Sequence, residues 1–181
     1  IGVPQHKLYH KEGDVWNHTM MVLDAAAGYR DKAEQPYPFM MTALVHDLGK
    51  IVSTAEKNGI YHAYGHETAG LPIAEAFLRR ISNEKKLIRY VLNMTELHMK
   101  PNALAGAGSS VKATNKMFDK AASPLDLIYI ALADDKGRIT EKPSESSEDF
   151  LFERLRIFNE IMEKPHVTGK DLINAGLLPD K

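Results

Sequence analysis

Residues 43–50 read ALVHDLGK. An apolar run follows the punctuation of EQPYP (34–38) and closes on adjacent His46 and Asp47, with Gly49 and Lys50 directly behind. The spacing predicts a short helix over 38–48, stopped by Gly49. A lone histidine on an apolar helix face is usually a satisfied core residue. Packing alone has no use for a His-Asp pair followed by Gly-Lys.

The pattern around this stretch is helical. DVWNHTMMVLDAAAGYR (14–30) carries Val15, Val22, Leu23 and Ala26 at helical spacing, with Asp14 as N-cap. Residues 50–65 are irregular, with a turn at Asn58-Gly59. A helix is expected from His66 to about Ile81, with Pro72 at its first turn or at a kink. Residues 82–99 form an amphipathic helix capped by Ser82, KPNALAGAGSS (100–110) reads as loop, and 110–121 as a short helix. Ser123, Pro124 and Asp126 open the next helix with a cap, a first-position proline and an acidic first turn. A polar linker (141–148), a long helix (149–163) and a short helix capped by Thr168 and closed by Gly176 complete the chain. No period-2 strand signal persists, so the expected fold is all-α: a helical bundle over 1–140, with 141–181 as a linker, a long helix and a short helical appendage packing on it.

Bulk properties narrow the function. The 181 residues are 44% hydrophobic and 26% charged, with a net charge of −1. Those values suit a globular domain and do not describe a polyelectrolyte that binds nucleic acid through its overall charge. Cysteine is absent, which excludes disulfides, thiolate zinc sites and a cysteine nucleophile. No apolar run approaches the roughly 18 residues of a membrane span, and no signal-peptide pattern opens the chain. A cytoplasmic protein is expected. The first residue is isoleucine, so the chain reads as trimmed or as the tail of a longer protein.

Of the eight histidines, His18, His46, His62, His66 and His98 lie near apolar helical segments; His6, His10 and His166 are read as ordinary structural histidines. His46 and Asp47 point about 100° apart on a helix, so further ligands must come from other helices. His18 offers a second imidazole, and Asp134 or Asp135 a closing carboxylate, with Asp134 preferred. Adding His66 and His98 gives H…HD…H…H…D, enough for a pair of metals. Nitrogen and oxygen donors without sulfur suit Mn, Ni, Fe, Co, Zn or Mg. One or two such ions can activate water and clamp a phosphate undergoing in-line attack. His62 precedes the expected helix start and reads better as a substrate-phosphate contact or loop residue than as a ligand. Lys112, Lys116 and Lys120, spaced by four, are either a phosphate-backbone stripe or a solvated face. No aromatic residues interleave with them, so stacking on single strands is not indicated.

The string H…HD…D resembles the signature of the HD superfamily of metal-dependent phosphohydrolases. HKEGDVWNHTMMVLD (10–24), ALVHDLGK, HAYGHETAG (62–70), ALADDKGR (131–138) and TGKDLINAGLLP (168–179) together resemble the carboxy-terminal HD region of bacterial tRNA nucleotidyltransferases, the CCA-adding enzymes. The resemblance implies an all-helical HD fold around divalent metal, with 2′,3′-cyclic phosphodiesterase, 2′-nucleotidase or phosphatase activity on nucleotides or RNA ends. By motif position it implies His18, His46, Asp47 and Asp134 as core ligands, with His66 and His98 as the extra histidines of dinuclear members. Lys50 and Arg138 would neutralise substrate phosphate, and Asp47 would also orient the attacking water. The nucleotidyltransferase head, with its Gly-Ser and Asp-x-Asp, has no counterpart: AGAGSS (105–110) is followed by neither the acidic pair nor a strand. The alternative reading is a tRNA-binding module with a structural or vestigial metal site. The implied partners are a nucleotide or RNA-end phosphoester and tRNA, without a membrane; a homodimer is left open.

Overall fold

The computed structural model describes residues 2–6, 9–140, 147–163 and 169–176. The expected linker lies mostly, and the Thr168 cap and His166 wholly, outside them. The described residues are helical with one small hairpin: α1 (Val15–Ala27), α2 (Pro36–Val45), α3 (Lys50–Ser53), β1 (Ala55–Lys57), β2 (Ile60–His62), α4 (His66–Ala69), α5 (Leu71–Ile81), α6 (Lys85–Leu97), α7 (Lys100–Gly106), α8 (Val111–Phe118), α9 (Pro124–Lys136), α10 (Glu148–Met162) and α11 (Gly169–Asn174). Among them no helix is long and apolar enough to cross a membrane.

α1 begins where Asp14 accepts a hydrogen bond from Asn17 N at 2.9 Å. Its buried face is Val15, His18, Thr19, Val22 and Ala26, so His18 shares the stripe that docks the helix. α9 is the central element. Leu127, Ile128, Ile130, Ala131, Leu132, Ala133 and Asp134 are all buried along it, and it packs against α1, α2, α7 and α10. α2 lies against α1, α6 and α9, and α5 against α6. Fully buried Phe39, Leu78 and Phe118 each contribute about 1.5–3 kcal/mol by leaving water. α10 buries Leu151, Leu155 and Phe158 against α7, α8 and α9.

Asp126, expected as an acidic first-turn residue of α9, does more. Ser123 Oγ accepts from its N–H at 3.1 Å. Its own buried carboxylate accepts from Tyr90 Oη at 2.6 Å and from the N–H groups of Glu34 and Gln35 at 2.7 and 3.1 Å. It ties the loop before α2, α6 and the start of α9 together.

Several local expectations change. The Asn58-Gly59 turn closes a β-hairpin, with Ala55 opposite His62, and both turn residues have positive φ, as a two-residue hairpin turn requires. The 100–110 stretch is not all loop: α7 starts with Pro101 buried in its first turn, and Ser110 caps α8. The first helix of the 82–99 segment begins at Lys85, with Ser82 Oγ instead accepting from Glu84 N. The 66–81 helix is broken into α4 and α5 at Gly70. The 38–48 helix ends at Val45, and Gly49 does not stop it through a left-handed conformation, since its φ is −64°. It is there for close approach: a Cβ on Gly49 would lie 1.9 Å from His66 O and 2.6 Å from Gly70 N.

Candidate metal centre

His18 comes from α1, His46 and Asp47 from the turn after α2, His66 from the first residue of α4, His98 from the end of α6, and Asp134 from the last turn of α9. All are buried. The structure brings them together; Asp47, His66 and Asp134 line a cavity of about 430 Å³ with Lys50 and Arg138, and His18, His46 and His98 lie behind that lining.

The imidazoles are oriented from behind. Nδ1 of His46 lies 2.9 Å from Ala43 O, that of His66 2.8 Å from Ala63 O, that of His98 2.6 Å from Thr95 O, and that of His18 3.1 Å from Gly137 O. A carbonyl only accepts, so each Nδ1 is a protonated donor and each Nε2 is the ring nitrogen turned inward. There the Nε2 atoms meet the carboxylates and one another. His18 Nε2 is 3.0 Å from Asp134 Oδ1 and 3.5 Å from Asp47 Oδ2. His46 Nε2 is 3.4 Å from Asp47 Oδ2 and has no hydrogen-bond partner. His66 Nε2 is 3.1 Å from Asp47 Oδ1 and 3.3 Å from His98 Nε2. Imidazole nitrogens and carboxylate oxygens gathered this closely could hold a cation between them.

Two triads of the expected ligands, His18–His46–Asp47 and Asp47–His66–His98, each have their donor atoms within 4.8 Å of one another, and His10, Glu12 and His18 form a third such group at the edge. Asp47 belongs to both triads of expected ligands, with Oδ2 toward the first triad and Oδ1 toward the second. This set fits a divalent metal in composition, burial and orientation.

Charge is balanced within the site. Burial opposes ionisation of Asp47, but His46 and Lys50 outweigh it and hold the carboxyl well below the usual range. Asp134 is likewise lowered, against burial, by the hydrogen bond from His18 and the charge of Arg138. Burial opposes protonation of His18, but the hydrogen bonds to Asp134 and Glu12 raise its pKa to about 9. His98 is pushed down to about 4 by burial and by His46.

Lys50 Nζ lies 2.7 Å from Asp47 Oδ2 and donates to Gln5 Oε1 at 2.7 Å. Arg138 Nη2 is 3.9 Å from Asp134 Oδ2 and 2.7 Å from Asp135 Oδ1, so Asp134 faces the centre and Asp135 faces the arginine. His62 lines the cavity on β2, with its ring stacked on Tyr64. Lys112, Lys116 and Lys120 are exposed at and beyond α8 and take no part in the cavity lining.

The structure adds residues that the sequence reading passed over. His6 and His10, read as ordinary structural histidines, line the cavity. His10 Nδ1 is 2.7 Å from Glu12 Oε1, which is also 3.1 Å from His18 Nδ1. The buried Glu12 carboxylate further accepts from Ile139 N at 3.0 Å, clamping the N-terminal arm to the end of α9. The arm's place is set by Val15 N bonding Val3 O at 3.0 Å. Helical spacing could not have found Glu12: it precedes the cap of α1, and one of its partners, Ile139, lies 127 positions away.

A helical bundle that gathers histidines and two aspartates around a buried cation-type site is the architecture of the HD domain, and that family matches residues 15–138. The chain belongs to the HD domain family. It is similar to the Multifunctional CCA protein of Actinobacillus pleuropneumoniae serotype 5b (strain L20), 30% identical over 143 residues, covering 77% of this chain and 34% of the relative. It is also similar to those of Halorhodospira halophila (strain DSM 244 / SL1), 32% identical over 156 residues, 83% of this chain and 36% of the relative, and of Chromobacterium violaceum (strain ATCC 12472), 33% identical over 159 residues, 83% and 37%. The chain thus spans about a third of the length of these curated relatives. No solved structure matches it.

Proposed function

We propose that the chain is a metal-dependent phosphohydrolase acting on phosphoesters of nucleotides or RNA ends, with 2′,3′-cyclic phosphates and 2′-phosphates as the expected substrates. One observation carries the reading: four inward-turned imidazole nitrogens and two buried carboxylates, drawn from five separate segments, converge on one another. His18, His46, Asp47 and Asp134 would hold one ion, and Asp47, His66 and His98 a second. A bound divalent cation would act as a Lewis acid on the phosphoryl group and make water a nucleophile near neutral pH.

The rest falls to the chain's own side chains. Lys50 and Arg138 supply positive charge at the cavity wall for the phosphoryl oxygens. Asp47, held ionised, keeps Lys50 aimed into the cavity and orients the attacking water. Gln5 takes a second Lys50 hydrogen, so the ammonium stays put when a phosphate arrives. A completed ligand set favours hydrolysis over a vestigial site, since decay removes ligands first. The likeness to Multifunctional CCA proteins supports tRNA among the substrates or partners.

Elemental analysis of the purified chain, paired with a screen over bis-p-nitrophenyl phosphate, 2′,3′-cyclic AMP and 2′-AMP, tests the reading. Stoichiometric metal and turnover of at least one phosphoester are expected; a metal-loaded chain inert toward all three would refute hydrolysis. Lys50→Ala should slow turnover roughly 10²-fold, the scale of losing one transition-state charge contact, and leave metal content near that of wild type. Equal loss of metal and rate would recast Lys50 as a structural counterion of Asp47. Replacing Lys112, Lys116 and Lys120 together by alanine should flatten the salt dependence of tRNA binding, measured by filter retention, by up to about three phosphate contacts. An unchanged slope would make the stripe a solvated face.

A further inference from the structure

The mouth of the cavity is aromatic, unlike the Lys112–Lys116–Lys120 stripe, with which no aromatic residues interleave. Tyr64 and His62 stack with ring centroids 5.1 Å apart and planes 10° from parallel. His6 packs edge-on against His62 at 5.9 Å, and Tyr9 against His6 at 4.8 Å. All four rings line the same cavity as Asp47, Lys50 and Arg138. Tyr64 is 83% exposed, so the hairpin holds a large ring over the opening without burying it. Packing gives no reason for this. A tyrosine ring left bare beside a phosphate-type cavity is a stacking surface, because every nucleobase offers it a π-face.

The reach is set covalently. Tyr64 stands two residues before His66, which puts their Cα atoms at most about 7 Å apart. That span suits one nucleoside, its base on the ring and its ribose phosphate over the metal ligands. Gly65, at φ +73°, turns the chain between the two, so the ring stays at the rim while His66 enters the floor.

We propose that Tyr64, backed by His62, is a nucleobase platform that selects nucleoside-bearing phosphoesters over base-free ones. The selection of substrates, though not the platform itself, rests on the hydrolase reading above.

Two arms separate the claims. In the first, the full chain as purified is titrated with adenosine and with ribose, followed by NMR shifts; neither ligand carries a phosphate to be cleaved. Adenosine should bind and ribose should not, with Tyr64→Ala weakening adenosine about tenfold and Tyr64→Phe keeping it. In the second, the metal-loaded chain is assayed on 2′-AMP and glycerol 2-phosphate. Tyr64→Ala should raise KM for 2′-AMP by a similar factor, leave kcat within about twofold, and not change kcat/KM for glycerol 2-phosphate. The platform is overturned if adenosine binds no better than ribose, if Tyr64→Ala binds adenosine as wild type does, or if both substrates suffer equally. If the chain is also inert toward bis-p-nitrophenyl phosphate and 2′,3′-cyclic AMP yet Tyr64→Ala still loses adenosine, the platform stands and the hydrolase reading falls.

Discussion

Replacing Asp47 by alanine is expected to strip the chain of divalent metal and to cut phosphoester turnover by more than about 100-fold, beyond the cost of disturbing a ligand's outer-shell partner. The reason is its double membership. Oδ2 faces His18 and His46 at 3.5 and 3.4 Å, while Oδ1 faces His66 at 3.1 Å. Removing it opens both triads at once and leaves the buried Lys50 ammonium with Gln5 alone. His66→Ala is a sharper companion: it should spare the ion held by His18, His46 and Asp134 and lose only the other. Metal-to-protein ratios after desalting distinguish the two variants, and far-ultraviolet circular dichroism should show near-native helicity in both. An Asp47→Ala chain with wild-type metal and wild-type rate would end the assignment of this centre.

Gly49→Ala should destabilise the fold by roughly 3 kcal/mol or more, the upper end of overpacking costs. The added Cβ would sit 1.9 Å from His66 O and 2.8 Å from His66 C, with Gly70 N at 2.6 Å. These are backbone atoms, so no rotamer change relieves the clash. Either α3 moves away from the start of α4, or His66 leaves the floor of the cavity. For a chain of this length a 3 kcal/mol loss lowers Tm by roughly 6–12 °C. The measurement is thermal unfolding of the variant beside wild type in chelator, so that metal affinity does not mask the backbone effect. A melt within a couple of degrees of wild type would show that the close approach of Gly49, His66 and Gly70 is dispensable.

Much of this arrangement was legible along the chain because it is written locally. Asp14 and Ser123 cap the helices they precede, and Asn58-Gly59 turns as its dipeptide predicts. The adjacent His46 and Asp47 announce a site because no packing argument asks for both. Their partners His18, His66, His98 and Asp134 could be proposed by residue type, and the structure places them around one point. What was not legible depends on distant segments. Gly49 looked like a helix stop, but its neighbour in space is His66. Asp126 looked like part of a helix start signal, yet it receives bonds from Tyr90, Glu34 and Gln35. The aromatic rim is assembled from the N-terminal arm and the hairpin, so no window of sequence displays it. α7 was hidden by the glycine at its end, a second glycine just beyond, and a proline that belongs to its first turn.

The backs of the imidazoles carry one more implication. Three of the rings lean on a carbonyl three residues earlier: His46 on Ala43, His66 on Ala63 and His98 on Thr95. Their aim travels with a single turn of backbone. His18 differs, leaning on Gly137 119 residues away, where a Cβ in place of the glycine hydrogen would press within 2.8 Å of Val22 N. Its bearing therefore exists only while the first and ninth helices are seated together. Loosening that seam would unpoint one ligand and spare the other three, which makes His18 the gauge by which the centre registers whether its bundle is closed.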